Sequence, residues 1–305
     1  MNDLGQYLIK VRRHLHANPE TGFNCINTSN FIRKELLDMG IEDIKEVGKH
    51  SLVATIKNGE KTVIGLRADF DALNIQEETN LDFASKNEGV MHACGHDAHT
   101  AILLATAKYL TENLSEWQGT VKLIFQEAEE GPDPGGAYYI VESGLVNDVD
   151  EFFALHVSPG FSTGELAINY GDALAAADII SVTFKGIGTH AAYPHLGIDP
   201  LVMQADFIMK LQTIVSRKVN PFDTAVVTIG EVKGGTTFNI IPETVNLKGT
   251  VRTFKNEVRD LIEKELKTLA ESVAKSYGGE FDFNYVRGYD PTVNAKASVD
   301  KVIQA

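Results

Sequence analysis

The amino-acid sequence predicts an α/β fold with a second, smaller domain inserted into the chain. Up to about residue 176, apolar runs that suit buried strands alternate with segments of helical periodicity, a pattern typical of a mainly parallel sheet covered by helices. From residue 177 the order becomes strand, helix, two strands, helix and strand, which is the ferredoxin-like β-α-β-β-α-β unit. The predicted domains are 1–176, an inserted domain at 177–288, and 289–305 as the start of a return to the first domain.

The first domain begins with predicted helices at 4–16 and 28–39. Asn58-Gly59 then separates the apolar runs SLVATIK and TVIGLRA, which predicts a β-hairpin. The elements after it alternate: a helix from Ala98 to about Asn113, a strand at 120–126, a helix from near Gly135 and a strand at 151–157.

The inserted domain is predicted from apolar alternation and two amphipathic stripes. Its elements are a strand at 178–186, a helix at about 199–217, strands at 224–232 and 244–254, a helix at 256–277 and a strand at 278–286. A last helical pattern begins at Val299 and stops without a C-cap, so we expect a chain cut short inside the returning first domain.

Composition excludes some classes of partner. The chain has 28 basic and 42 acidic residues, a formal charge of -14, which argues against a nucleic acid partner because phosphate binding depends on Lys and Arg. The N-terminus has no apolar region of the kind that a signal peptide needs, and no stretch approaches ~18 apolar residues. We therefore expect a cytoplasmic protein with no membrane partner, whose Cys25 and Cys94 are free thiols.

The stretch MHACGHDAHT, residues 91–100, concentrates metal-binding side chains. If its backbone is extended, Cys94 and His96 point to the same side and converge on one ion. Asp97 would accept the remaining N–H of a ligand histidine and so support it. The alternative is a buried cysteine beside solvated histidines, but His92 and His99 flank the pair and favour metal.

A second cluster, Phe125-Gln126-Glu127-Ala128-Glu129-Glu130-Gly131, places three acids directly after a buried strand. Ligands of open α/β sheets bind at the carboxyl ends of strands. If Glu129 and Glu130 are extended, they cannot face one point, so one would hold metal and the other would meet the attacking water. The alternative is a solvated acidic loop.

Two more strands end in polar residues. Asp69 and Asp71 end one strand, and His156 ends another. Each alone is typical of a turn, a cap or a buried core residue, but four elements meeting at one edge favour a site. A set of Cys, His, Glu and His is typical of zinc, and manganese, cobalt or nickel are alternatives.

The inserted domain contributes polar residues of another kind. His190 follows its first strand, Asn239 lies in the loop FNIIPE, and Arg252 lies near the end of TVNLKGTVRTF. An arginine suits a bidentate contact with a substrate carboxylate. By themselves these residues could equally be surface residues.

Together these motifs resemble the amidohydrolase branch of the aminoacylase/carboxypeptidase G2 metallopeptidase family. The resemblance extends over essentially the whole chain. The motifs that carry it are HACGHD at 92–97, RADFDAL at 67–73, FQ-x-AEEG at 125–131, RRHLH at 12–16 with Pro19-Glu20, LHV at 155–157, HAA-x-PH at 190–195, NIIP at 239–242 and GTVR at 249–252.

The resemblance implies a zinc-peptidase-like α/β catalytic domain with a ferredoxin-like lid and dimerisation domain. It implies two divalent metal ions, zinc or manganese, with Cys94 as the bridging ligand. The other implied metal ligands are His96, Glu130 and His156. Glu129 is the implied general base.

The same resemblance implies a homodimer formed through the lid domain, in which His190 reaches the partner subunit to polarise the scissile carbonyl. Asn239 and Arg252 would bind the substrate, including its carboxylate. The implied reaction cleaves an N-acyl amino acid, and in particular an N-acetyl amino acid, into a carboxylate and a free amino acid.

The sequence departs from the family at three places. Thr189 stands where Gly is usual and Glu127 where Pro is common, and neither change removes a chemical group. The family also supplies one more histidine ligand from a C-terminal segment, and this sequence ends before it. The alternatives are therefore a truncated, inactive metal-binding and dimerising remnant, or a dipeptidase or carboxypeptidase of the same clan.

Overall fold

The computed structural model describes residues 3–131 and 134–305 and divides the chain into two compact units. The first unit ends at Glu165, and the second extends from Leu166 to Ala305. The limits predicted for the domains, at 176/177 and 288/289, stay a prediction.

The first unit is an α/β structure, as predicted. Its five-stranded sheet has the order β1-β2-β4-β3-β5. In chain order the elements are α1 (Asp3–Ala17), α2 (Ile26–Asp38), β1 (Ile44–Val47), β2 (Ser51–Asn58), β3 (Val63–Asp69), α3 (His96–Glu112), β4 (Gly119–Gln126), α4 (Gly136–Glu142) and β5 (Glu151–Ala154). The strand predicted at 151–157 is thus shorter, and His156 lies beyond its end.

The predicted hairpin between β2 and β3 is wrong. β2 pairs antiparallel with β4, and β4 pairs parallel with β3, so that β4 lies between them. β4 is the most buried strand of this set, with Leu123 and Phe125 fully enclosed, and a strand that is apolar on both faces requires a central position. The turn at Asn58-Gly59 reverses the chain, but it does not determine which strand β2 or β3 pairs with.

The sheet is mixed, and its parallel part positions the site. β3 pairs parallel with both β4 and β5, whereas β1 and β2 are antiparallel, so the prediction of a mainly parallel sheet is corrected. Asp69 at the end of β3 lies opposite Gln126 at the end of β4, and Arg67 lies opposite Ala154 at the end of β5. Three carboxyl ends therefore meet at one edge of the sheet.

The core of the first unit lies between this sheet and α1, α2 and α3. α3 packs against β3 and β4, α2 packs against β2, and both α1 and α2 pack against α3. The main buried residues are Val11, Leu15, Ile32, Leu36, Leu52, Leu104, Leu123 and Phe125. This packing holds the start of α3 beside the carboxyl ends of the strands.

The second unit contains the predicted β-α-β-β-α-β order. Its elements are β6 (Gly171–Leu174), β7 (Ala176–Lys185), β8 (Thr189–His190), α5 (Pro200–Arg217), β9 (Ala225–Gly234), β10 (Ile240–Ile241), β11 (Thr244–Thr253), α6 (Asn256–Tyr277), β12 (Glu280–Val286), β13 (Thr292–Asn294) and α7 (Lys296–Gln304). An antiparallel sheet of order β12-β7-β11-β9 packs against α5 and α6. β9 and β12 are its edge strands. No helix in the described ranges is long and apolar enough to cross a membrane.

Candidate metal centre

The segment from Cys94 to His96 is a sharp turn, so the extended backbone predicted for it is wrong. Gly95 adopts a left-handed conformation with φ 89° and precedes the first residue of α3, His96. A Cβ atom added to Gly95 would lie 2.4 Å from Cγ2 of Val157. Glycine is therefore required both for the turn and for the close approach of the segment that carries His156.

We expect Gly95→Ala to weaken metal binding and to lower the free energy of unfolding by about 1–3 kcal/mol, because the left-handed backbone is strained and the methyl group displaces Val157. Zinc titration and urea denaturation would measure both effects. Gly89→Ala is the matched control, since Gly89 has φ 72° but open space around its Cα. Equal zinc affinity in the two variants would rule out a role for the contact between Gly95 and Val157.

The structure brings the four predicted metal ligands together around His96. Ligand atoms of Cys94, His96 and His156 all lie within 4.8 Å of one another, and the same holds for His96, Glu129 and Glu130. Sγ of Cys94 is 3.4 Å from Nε2 of His156. Sulfur, imidazole nitrogen and carboxylate oxygen at this spacing form a donor set for a divalent transition metal.

Both carboxylates of the acidic loop approach His96, which corrects the expectation that Glu129 and Glu130 face apart. Oε2 of Glu129 is 3.8 Å and Oε1 of Glu130 is 3.9 Å from Nε2 of His96. Ala128 has φ 48°, so the chain bends sharply after β4. The backbone N–H groups of Glu129 and Glu130 donate to the two carboxylate oxygens of Asp71, at 3.0 and 3.1 Å. Asp71 thus fixes the direction of this loop.

Ligand atoms of His99, Asp69 and His96 also lie within 4.8 Å of one another, but both ring nitrogens of His99 are engaged in hydrogen bonds. Its Nδ1 lies 2.6 Å from Oδ1 of Asp69, and its Nε2 accepts the backbone N–H of Val157 at 3.0 Å. A nitrogen that accepts an N–H carries no proton, so the proton is on Nδ1 and donates to Asp69. Since both ring nitrogens are engaged, His99 instead links α3 to the residue after His156.

Asp69 and Asp97 have different partners. Asp69, predicted as a supporting residue, accepts from His99 and from Nη1 of Arg67 at 2.7 Å. Burial raises the pKa of Asp69, but His99 and Arg67 outweigh burial and hold that pKa well below its usual range. Asp97 does not contact a ligand histidine, and that expectation is corrected: its Oδ2 lies 2.8 Å from Nδ1 of His16.

The surroundings shift the pKa values of several ionisable groups of the site. Burial and the Glu130 carboxylate raise the pKa of the Cys94 thiol to about 12. Burial and the neighbouring Asp69 raise the pKa of Glu129. Burial lowers the pKa of His96, but the carboxylates of Asp71 and Asp69 outweigh burial and raise it. A cation favours the thiolate form of cysteine, so these surroundings suit a bound metal.

His96 also shows that the residues fit a metal. It is 1 % exposed, and neither of its ring nitrogens makes a well-formed hydrogen bond among the described residues, although Nδ1 lies 3.4 Å from Oδ1 of Asp71. Buried polar atoms normally have partners, because leaving one unsatisfied costs about 1–3 kcal/mol. His92 is also buried without a partner in the described ranges, but it does not join the ligand cluster, and burial lowers its pKa to about 4.

The remaining candidates lie in the second unit. His190 in β8 pairs with Ile240 in β10, and the backbone N–H of Ala191 donates to the carbonyl of Asn239 at 2.9 Å. The structure therefore brings the segments of His190 and Asn239 together beside an open cleft that His190 lines. Arg252 lies on β11 and donates to the carbonyl of Val251 at 3.1 Å. No hydrogen bond or ion pair within the described residues joins Arg252 to the other two.

Sequence reasoning placed Asp71 with Asp69 at the end of a strand without giving it a specific role, and it assigned no role to Arg12 or His16. Arg12 and His16 are one helical turn apart, and both contact the Asp97 carboxylate. The sequence did contain a sign of this contact. Arg12 and His16 are polar residues at i and i+4 of a helix whose other inward-facing residues are apolar.

Comparisons with known proteins place this chain in a family. The model of Peptidase family M20/M25/M40 matches residues 65–305. An N-acetyl-L-cysteine deacetylase of Bacillus subtilis is 40% identical over 298 residues, covering 97% of this chain and 71% of the relative. An N-acyl-L-amino acid amidohydrolase of Geobacillus stearothermophilus is 38% identical over 288 residues, covering 94% of this chain and 78% of the relative.

One solved structure is similar to nearly the whole of this chain. The YXEP protein of Bacillus subtilis, a dinuclear metal binding peptidase from the M20 family, superposes with a TM-score of 0.83 at 36% identity, covering 99% of this chain and 79% of that one. The chain described here belongs to the M20/M25/M40 peptidase family and is a hydrolase that acts on amide bonds.

Proposed function

We propose that this chain hydrolyses N-acyl amino acids, in particular N-acetyl amino acids, to a carboxylate and a free amino acid. The observation that carries the proposal is the convergence of Cys94, His96, Glu130 and His156 beside Glu129 at the carboxyl ends of parallel strands. Two similar relatives are named for deacetylation or amidohydrolysis of such compounds.

Two divalent metal ions complete the proposed site, and we propose zinc or manganese. Cys94, His96, Glu130 and His156 would hold them, with Cys94 supplying a thiolate ligand. When bound, the ions would act as Lewis acids that lower the pKa of a water molecule and polarise the amide carbonyl.

Glu129 is the proposed general base. Its carboxylate lies among the ligand atoms but is 36% exposed, so a water molecule can reach it. Burial and Asp69 raise its pKa, which strengthens it as a proton acceptor. Glu129 takes the proton of the attacking water, and the new C–O bond forms as that proton leaves. Glu129 then returns the proton to the nitrogen of the leaving amine as the C–N bond breaks.

The second unit supplies the proposed substrate contacts. His190 would donate a hydrogen bond to the oxygen of the scissile carbonyl as negative charge develops there. Asn239 and Arg252 would bind the substrate, and the planar guanidinium of Arg252 matches the geometry of a carboxylate. These roles explain why the substrate would be an acylated amino acid rather than a simple amide.

A panel of substrates tests the function. The protein, reloaded with zinc or manganese after chelation, is incubated with N-acetyl amino acids, an N-benzoyl amino acid and dipeptides, and the released amine is measured. We expect N-acetyl amino acids to be cleaved and activity to disappear after metal removal with a chelator, because water is then too weak a nucleophile. Full activity without metal, or no cleavage of any N-acyl amino acid, would refute the proposal. Preferential cleavage of dipeptides would assign the chain to the dipeptidase alternative.

We also propose a homodimer formed through the second unit. β9 is an edge strand of the antiparallel sheet, with unpaired backbone groups and the exposed apolar residues Val226 and Val232. Such an edge is a ready template for pairing with a second copy of the chain. Light scattering would give twice the mass of the 33.4 kDa chain for a dimer, and a mass of one chain would contradict it.

Mixing two inactive variants tests whether His190 acts in the partner subunit. If each site combines Glu129 of one subunit with His190 of the other, a mixed dimer of Glu129→Gln and His190→Ala contains one intact site. We expect an equal mixture, after subunit exchange, to recover about a quarter of the wild-type activity. No recovery, despite mixed dimers shown by a tag on one variant, would place both residues in the same subunit's site.

A cytoplasmic location is proposed as well. Cell fractionation would test it, and recovery of the protein from a secreted or membrane fraction would contradict it.

A further inference from the structure

His16 contacts two carboxylates that belong to different parts of the first unit. It lies in the last turn of α1 and is 4% exposed. Its Nδ1 is 2.8 Å from Oδ2 of Asp97, and its Nε2 is 3.2 Å from Oε1 of Glu77. A side chain this buried, with both of its ring nitrogens engaged, has one well-defined orientation.

The two carboxylates lie on either side of the metal-ligating segment. Glu77 belongs to the irregular stretch that leads from β3 to Cys94, and Asp97 comes directly after His96. Glu77 also accepts the backbone N–H of Ser85 at 2.6 Å, so it is itself anchored within that stretch. His16 therefore connects the chain before the ligands to the chain after them.

The start of α3 depends on this connection. Gly95 at the N-cap has no side chain, so it makes no side-chain hydrogen bond to the first turn of the helix. Asp97 in the first turn is instead held from outside by His16 and by Nε of Arg12, at 3.1 Å. His96 lies between Gly95 and Asp97, so its direction follows that of this turn.

Further contacts join the same stretch to the end of α1. The backbone N–H of Lys86 donates to the carbonyl of Ala17 at 3.0 Å, and Nδ2 of Asn87 donates to the carbonyl of Pro19 at 2.7 Å. These bonds bring the stretch to α1, but only His16 among the described side chains contacts both Glu77 and Asp97.

We propose that His16 is a positioning residue, which presets Cys94 and His96 for metal binding by holding Glu77 on one side of them and Asp97 on the other. The inference rests on the metal site of the proposed function. It adds that α1, which supplies no ligand, controls metal affinity. Partners that orient a ligand without touching the ion typically change metal affinity about 10–100-fold when removed.

Zinc affinity measured by competition with a chromophoric chelator tests the proposal. We expect His16→Ala to lower zinc affinity about 10- to 100-fold. His16→Asn, whose amide nitrogen can replace Nδ1 and donate to Asp97, should recover part of this loss. His14→Ala is the matched control, because His14 lies in the same helix and stacks on Phe31 with ring centroids 4.2 Å apart, away from both carboxylates.

Wild-type zinc affinity in folded His16→Ala would overturn the proposal, as would equal losses in His16→Ala and His14→Ala. If His16→Ala does not fold, Glu77→Ala decides, because it removes one of the two contacts and leaves α1 unchanged. An unchanged affinity in that variant would overturn the proposal, and a loss would support it. Since zinc binding is measured without turnover, a chain that follows these expectations but cleaves no N-acyl amino acid would refute the proposed function alone.

Discussion

Glu129→Gln is expected to lower kcat about 10²–10⁴-fold while the protein keeps its metal, because the amide has nearly the shape of the carboxylate but cannot accept a proton from water. KM should change much less, since Glu129 acts on the water and not on the ground-state substrate. The measurement is steady-state release of amine from an N-acetyl amino acid, together with metal content by mass spectrometry.

Glu130→Gln is the matched control for this variant. Glu130 is the adjacent residue, its backbone N–H is held by the same carboxylate of Asp71, and its Oε1 lies at nearly the same distance from His96. We expect Glu130→Gln to lose metal, because an amide oxygen is a weaker ligand than a carboxylate. If Glu129→Gln retained full kcat, or if it lost metal while Glu130→Gln did not, the roles of the two residues would have to be exchanged or abandoned.

The acidic cluster shows what a sequence can and cannot reveal about such a site. Three acids follow β4, and the sequence suggested roles for Glu129 and Glu130 but none for Glu127. Glu127 is fully buried and accepts the backbone N–H groups of Lys49, His50 and Ser51 at 2.8–3.3 Å. That role depends on a loop almost eighty residues earlier in the chain, and local patterns contain no information about such a contact.

The ligand positions were predictable because they depend on strand ends. Parallel strands bring their carboxyl ends to one edge, so Glu130 and His156 could be placed near the motif that contains His96 without knowing any side-chain contact. The local geometry was not predictable. The left-handed turn at Gly95 and the bend at Ala128 replaced the extended backbone that was expected at both places. The bend at Ala128 depends on a residue far away in the sequence, because the carboxylate of Asp71 accepts the backbone N–H groups of Glu129 and Glu130.

In the second unit, more of the fold could be predicted from the sequence than in the first. Its strands alternate between exposed and buried residues, so the order of its elements along the chain could be read from periodicity. The structure adds the order of the strands in the sheet, β12-β7-β11-β9. The pairing error in the first unit arose because β2 and β3 are joined by a turn signal but are separated by β4. Long-range packing decided that order, and a turn signal describes only four residues.

Cys94→Ala is expected to abolish tight metal binding, because it removes the thiolate from the proposed ligand set. The structure places Sγ of Cys94 with His96 and His156 on one side and close enough to Glu130 for that carboxylate to raise the pKa of the thiol. Without the thiolate less metal would bind, and the neighbouring carboxylates of Glu129 and Glu130 would then repel each other with less positive charge to offset them. Metal content after gel filtration should fall from two ions per chain to fewer than one, and activity should fall with it.

Substitution with cobalt tests directly whether the Cys94 thiolate binds metal. A cysteine thiolate bound to Co²⁺ gives a charge-transfer absorption in the near ultraviolet, and we expect this band in the wild-type protein and its loss in Cys94→Ser. Cys25→Ser is the matched control: Cys25 is fully buried and donates to the carbonyl of Gly22 at 3.1 Å, so its replacement should affect stability but not the band. A band that persists in Cys94→Ser, or two tightly bound ions in Cys94→Ala, would show that the metals are held without this thiolate.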